Sequence, residues 1–140
     1  MDTWMFYAIL SMLFAGLTGV IAKPGLAGIT GELGLTVRTG FVCLMVLLFA
    51  VVRVPLSDFA TLTRLNYLWL GLSAITTTAS WIFYYKALEQ GDVSTISIID
   101  KGSFVVAVAL AWCVLGERMT PRLALGCVLV LAGLLLAMKK

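Results

Sequence analysis

Five long apolar runs, separated by short stretches of Gly, Pro and charge, decide what this chain can become. They lie at about residues 4–22, 33–52, 67–88, 94–115 and 123–138 of 140. A helix needs about 20 apolar residues to cross a ~30 Å hydrocarbon core. Five such helices use roughly 100 residues and leave roughly 40 for loops and ends, which is too little for a soluble domain. The composition agrees, with 61% hydrophobic residues and 12% charged, against about 45–50% and about 25% in soluble domains. A soluble enzyme, a secreted disulfide scaffold and a disordered tail are all disfavoured. The expected fold class is an all-α integral membrane protein with five transmembrane helices, one domain over residues 1–140.

The punctuation between the runs is specific. Lys23-Pro24-Gly25 is expected to break the first helix. A connector with Gly25, Gly28, Gly31 and Gly34 at three-residue spacing follows. Arg53 and Pro55 bound the second run, and Leu56–Leu65 reads as a short polar loop. Glu89-Gln90-Gly91-Asp92 ends the third run and Gly116-Glu117-Arg118 the fourth. Thr120 and Pro121 suit the N-cap and first helical position of the fifth. Val20-Ile21-Ala22 loosely resembles a signal-peptidase site, but Met1-Asp2-Thr3 carries no basic side chain. The first run is therefore expected to be retained.

Several chemistries are disfavoured. There is no His, and Cys43, Cys113 and Cys127 lie inside apolar runs with no CxxC spacing. They read as buried, inert thiols rather than metal ligands or disulfides. The sequence holds no GxSxG, phosphate-binding loop or HExxH, so no enzymatic activity, catalytic residue, metal or cofactor is expected. The net charge is +3, with no basic run beyond Lys139-Lys140, which argues against a nucleic-acid partner.

Charges inside a bilayer are costly and mark functional candidates. Asp100 and Lys101 fall about six residues into the fourth run, roughly 9–10 Å deep at 1.5 Å per residue. Arg38 lies at a similar depth in the second run, and Glu32 sits just before it. Topology places these groups, with Lys86 and Glu89, in the same half of the bilayer. Neighbours on a helix point about 100° apart, so Asp100 and Lys101 each call for a partner elsewhere. Arg38 suits Asp100, and Glu32 or an anionic solute group suits Lys101. The functional reading is a solute or ion site, and the competing one is a salt-bridge latch. The third run adds a stripe of hydroxyls and rings at helical spacing. Within it Thr77, Trp81 and Tyr84 suit the lining of a solute cavity, whereas Thr76, Thr78 and Tyr85 suit packing and the membrane interface.

Five spans put the two termini on opposite sides. One side carries Arg53, Arg64, Arg118 and Arg122, and the other Lys23, Lys86, Lys139 and Lys140. The positive-inside rule gives almost no instruction from such a tie. Insertion in both orientations would allow an antiparallel homodimer of ten helices, an inverted-repeat architecture used by transporters.

The stretch from Tyr85-Lys-Ala-Leu-Glu-Gln-Gly-Asp-Val-Ser through Asp100-Lys-Gly-Ser and Leu115-Gly-Glu-Arg-Met-Thr-Pro to Leu125-Gly-Cys-Val-Leu-Val-Leu-Ala-Gly133 resembles the EamA domain of the drug/metabolite transporter superfamily. So does the opening Phe14-Ala-Gly-Leu-Thr-Gly with Lys23-Pro-Gly. The usual member resembles two such repeats in tandem, so the likeness implies that one EamA-like repeat is completed to ten helices by dimerisation. It also implies a multi-pass transporter in the cell inner membrane, moving small metabolites, amino acids or drugs by alternating access, often outward and ion-coupled. By that likeness spans 1–4 line the path and span 5 supports packing. The small multidrug exporters are similar in size but rely on a Glu in their first helix, which this first run lacks. A non-transporting membrane assembly subunit and a lipid-linked-sugar flippase are the other readings. Across all of them the expected partners are a small-molecule solute, the lipid bilayer and a second copy of the chain.

Overall fold

A computed structural model describes residues 3–138. The Met1-Asp2 and Lys139-Lys140 ends, on which the leader and charge-balance readings partly rest, lie outside the described residues. The elements are α1 (Thr3–Gly25), α2 (Gly31–Arg53), a 3-10 turn at Leu56–Thr61, α3 (Arg64–Gln90), α4 (Val93–Asp100), α5 (Ser103–Leu115) and α6 (Pro121–Met138). Thr3–Gly25, Gly31–Arg53, Val93–Leu115 and Pro121–Met138 are each long and apolar enough to cross a membrane. The third run gives the longest helix, 27 residues. Asn66, Ser73, Thr76, Thr77, Thr78 and Ser80 dilute its apolar character, so it is not among those four spans.

Local signals explain most of the boundaries. Thr30 caps α2, its hydroxyl accepting a hydrogen bond from the Leu33 N–H at 3.3 Å. Thr120 caps α6 in the same way, accepting from Leu123 N–H at 3.3 Å, with Pro121 as the first helical residue. Thr63 and Asn66 cap the start of α3 reciprocally: Asn66 Oδ1 accepts from the Thr63 N–H at 2.9 Å and Thr63 Oγ1 from the Asn66 N–H at 3.3 Å. Gly116, with φ +69°, ends α5 in the left-handed conformation that other residues avoid.

One expectation is met and one is corrected. The first helix ends within Lys23-Pro24-Gly25, at Gly25. The Pro24 ring holds a helical φ but brings no N–H and crowds the carbonyl four residues back, so the helix goes only one residue further. The chain leaves the helix afterwards and reverses at Gly28, with φ +77°. The fourth run is not one continuous helix. It breaks at Lys101-Gly102, where the bonding shortens to three-residue spacing: Gly102 N–H donates to Ile99 O (2.9 Å), Phe104 to Lys101 O (3.2 Å) and Val105 to Gly102 O (3.0 Å). Glycine has a weak helix preference, and Gly102 sits close to Leu134 of α6, where an added Cβ would lie 3.2 Å from Leu134 Cδ1.

The chain divides into two compact units. One comprises Pro24–Gln90, and the other the residues up to Lys23 with those from Gly91 onward. In the first, α2 and α3 pack as an antiparallel pair, with Leu26, Tyr85 and Leu88 buried. Leu26 folds back onto Gly34, whose lack of a side chain leaves room for it. In the second, α6 packs against both α4 and α5, and Cys127 is buried. The Lys23 ammonium donates to the Gly91 carbonyl at 2.9 Å, tying the end of α1 to the start of α4. Outward faces remain apolar throughout, for example Phe41, Met45 and Phe49 on α2 and Leu135 and Leu136 on α6. Such surface suits lipid or another apolar helix, where no burial from water is needed. Cys43 and Cys113 are exposed, against the expectation that all three thiols are buried.

Candidate functional site

The α2–α3 pair gathers the polar groups of its unit at one end. The two helices run in opposite directions, so the start of α2 meets the end of α3. Gly31 permits the closest approach: a Cβ there would lie 2.6 Å from the Tyr85 carbonyl oxygen, inside any allowed contact. The Glu89 carboxylate (Oε2) accepts a hydrogen bond from the Gly31 N–H at 2.7 Å. This satisfies one of the four unpaired N–H groups at a helix start and places a negative charge at the positive end of the dipole. Beside it the Lys86 ammonium meets Glu32 Oε1 at 2.8 Å.

Arg38 lies about two turns further along α2. Its guanidinium carbon stands 4.5 Å from the centroid of the Trp81 ring and 5.9 Å from that of Tyr85. Both contacts fall within cation–π range. Arg38 Nη1 is buried and has no hydrogen-bond partner. Tyr84 packs edge-on against Tyr85, centroids 6.3 Å apart. Thr77 donates to the Ser73 carbonyl of its own helix at 2.8 Å, as a hydroxyl does when it must be satisfied in an apolar setting. A groove of 540 Å³ runs between the two helices, lined by Glu32, Thr36, Thr39, Cys43, Thr78 and Ile82 among others. Its size lies within the ~300–1,000 Å³ usual for small-molecule sites.

In the other unit, Asp100 and Lys101 sit at the helix break. The Lys101 ammonium meets Asp100 Oδ2 at 3.5 Å, and both side chains remain partly exposed. At a helix end a flexible lysine reaches back to its neighbour, which the regular 100° stagger of a continuous helix would discourage. A second, smaller recess in this unit is lined by Ala107, Trp112, Glu117, Arg118 and Leu123 among others.

Of the charges expected to share one half of the bilayer, Glu32, Arg38, Lys86 and Glu89 lie toward the same end of the α2–α3 pair, and Asp100 and Lys101 lie in the other unit. Glu32 pairs with Lys86, and Lys101 with Asp100. Arg38 rests on aromatic rings. Tyr85, read from the sequence as an interface residue, is 3% exposed and forms part of the α2–α3 contact. Thr36, Thr39 and Thr78 line the groove but were not singled out as site residues. The recurrence of Thr36, Thr39 and Cys43 on one helix face is the signal that could have marked them.

The sequence matches the EamA-like transporter family over residues 2–139. The chain belongs to the EamA-like transporter family. It is also 32% identical over 135 residues to a Sinorhizobium protein described as an uncharacterized transporter in the cobO 3' region, covering 96% of both chains. No solved structure matches. Its EamA-like family and its apolar helices make it a multi-pass membrane protein of the drug/metabolite transporter kind.

Proposed function

We propose that the chain is a secondary transporter that exports small metabolites, amino acids or drugs across the cell inner membrane by alternating access, coupled to an ion gradient. Five spans, with α3 as the third and α4–α5 as the fourth, make one repeat over residues 1–140, and an antiparallel second copy completes ten helices. The observation that carries this reading is the helix break at Lys101-Gly102, directly after Asp100. Irregular backbone at membrane depth is tolerated where it is buried in protein or lines a water-filled cavity. Discontinuous helices are a recurrent place for transporter ion and substrate sites. Asp100 is the coupling group, with Lys101 as its charge partner, and Arg38 belongs to the solute path. Glu32, Thr77, Trp81 and Tyr84 complete the solute path.

The test is flux into proteoliposomes with and without an imposed proton gradient or membrane potential. Asp100→Asn is expected to reduce gradient-driven flux to background and leave dimers intact; unchanged flux removes the coupling role. Reporter fusions at the C-terminus test the antiparallel arrangement, which requires signal from both sides of the membrane and fails if only one side reports.

A second reading, a non-transporting assembly subunit, is favoured by one observation: Glu32–Lys86 and Gly31–Glu89 both bridge α2 and α3, as latches would. Flux separates the two, because a chain that assembles but moves no solute in proteoliposomes supports the assembly subunit.

A further inference from the structure

We propose that Arg38 is an oxyanion receptor, and that the solute moved by the chain carries a carboxylate which Arg38 binds. This deepens the transporter reading and rests on it. The argument starts from cost. A guanidinium stays charged at any physiological pH and brings five N–H donors and no acceptor. Seven residues beyond Gly31, roughly 10 Å along the helix, it lies at a depth where a lone cation costs a few kcal/mol.

The chain meets only part of that cost. Trp81 and Tyr85 offer their ring faces, but a ring face accepts no strong hydrogen bond, and Nη1 is left buried without an acceptor. The acidic side chains of the same unit are committed elsewhere: Glu32 to Lys86 at 2.8 Å, Glu89 to the Gly31 N–H at 2.7 Å, and Asp58 in the turn that follows the other end of α2. The two rings hold the flat guanidinium in a set plane. A guanidinium fixed in that way is prepared for the two parallel hydrogen bonds that a planar carboxylate accepts. Arg38 as a whole is half-buried, so the group is not sealed from a ligand. Trp81 then supplies an apolar surface for the body of the solute, the combination of one placed charge and aromatic wall that small-molecule sites use. A lipid phosphate has the same oxyanion chemistry and is the source the experiment must separate.

The full-length chain with Trp4, Trp69 and Trp112 replaced by Phe keeps Trp81 as its single indole, in contact with Arg38. In phosphatidylcholine nanodiscs, benzoate is expected to shift Trp81 emission saturably, whereas benzamide, equal in shape but uncharged, is not. Arg38→Gln is expected to weaken benzoate binding at least tenfold. Arg38→Lys, which keeps the charge but not the fork, is expected to fall between, and it also shows that loss in Arg38→Gln is not loss of folding. An equal response to benzamide, or unchanged benzoate binding in Arg38→Gln, overturns the inference. A saturable shift produced by adding phosphatidylglycerol alone also overturns it, since the oxyanion is then a headgroup. Saturable benzoate binding by a chain that moves no solute overturns the transporter reading alone. Solute flux indifferent to Arg38→Gln overturns this inference alone.

Discussion

The two compact units handle charge in opposite ways. Between α2 and α3, each carboxylate at the crowded end reaches a partner on the other helix, at 2.7 and 2.8 Å. At the α4–α5 break, Asp100 faces its own sequence neighbour at 3.5 Å, and the contact joins no two helices. A bridge between elements constrains their packing, whereas a bridge between neighbours leaves packing unaffected and the charges exchangeable. The difference suggests which charges to test for structure and which for function.

The largest effect that would break this contrast is on transport. Asp100→Asn is expected to abolish gradient-driven flux while leaving the unfolding midpoint in an SDS titration unchanged; a lowered midpoint would place Asp100 with the structural charges. Next, Gly31→Ala forces a methyl into the 2.6 Å gap against the Tyr85 carbonyl. It is expected to cost about 1–3 kcal/mol, read from the same titration. Thr30→Ala removes the α2 cap and is expected to cost about 1 kcal/mol. The smallest change is expected from Glu32→Gln, since the Glu32–Lys86 pair stays open to its surroundings, with side chains 67% and 49% exposed. Exposed pairs contribute little, so its unfolding midpoint is expected to fall less than that of Thr30→Ala.

What the sequence made legible follows from how local each signal is. Thr120-Pro121 and Gly116 mark helix ends by their own chemistry, and each helix end forms where those residues stand. The gathering of Glu32, Arg38, Lys86 and Glu89 needed only the up-and-down order of the spans. Which of them touch was not legible, because that depends on how far each helix is rotated about its axis. The rotation is set by Gly31 seated against Tyr85, a contact between residues far apart in the chain. The break at Lys101-Gly102 was hidden for a different reason. An apolar window averages over it, and one glycine in such a window often stays helical. Pro24 was legible, since its missing N–H and the clash with the preceding turn act locally, and the helix ends one residue after it.

Gly31 has one more consequence. Where α2 comes closest to α3, the bare backbone of Gly31 faces the Tyr85 carbonyl, and the Gly31–Glu89 hydrogen bond and the Glu32–Lys86 pair hold the two helices at that end. The crossing is the fixed end of α2. The 23 residues of α2 form a lever about 34 Å long, so a rotation of about 5° sweeps its far end through about 3 Å. A fulcrum at one end and a groove along the arm mean that the width of the groove is set by an angle.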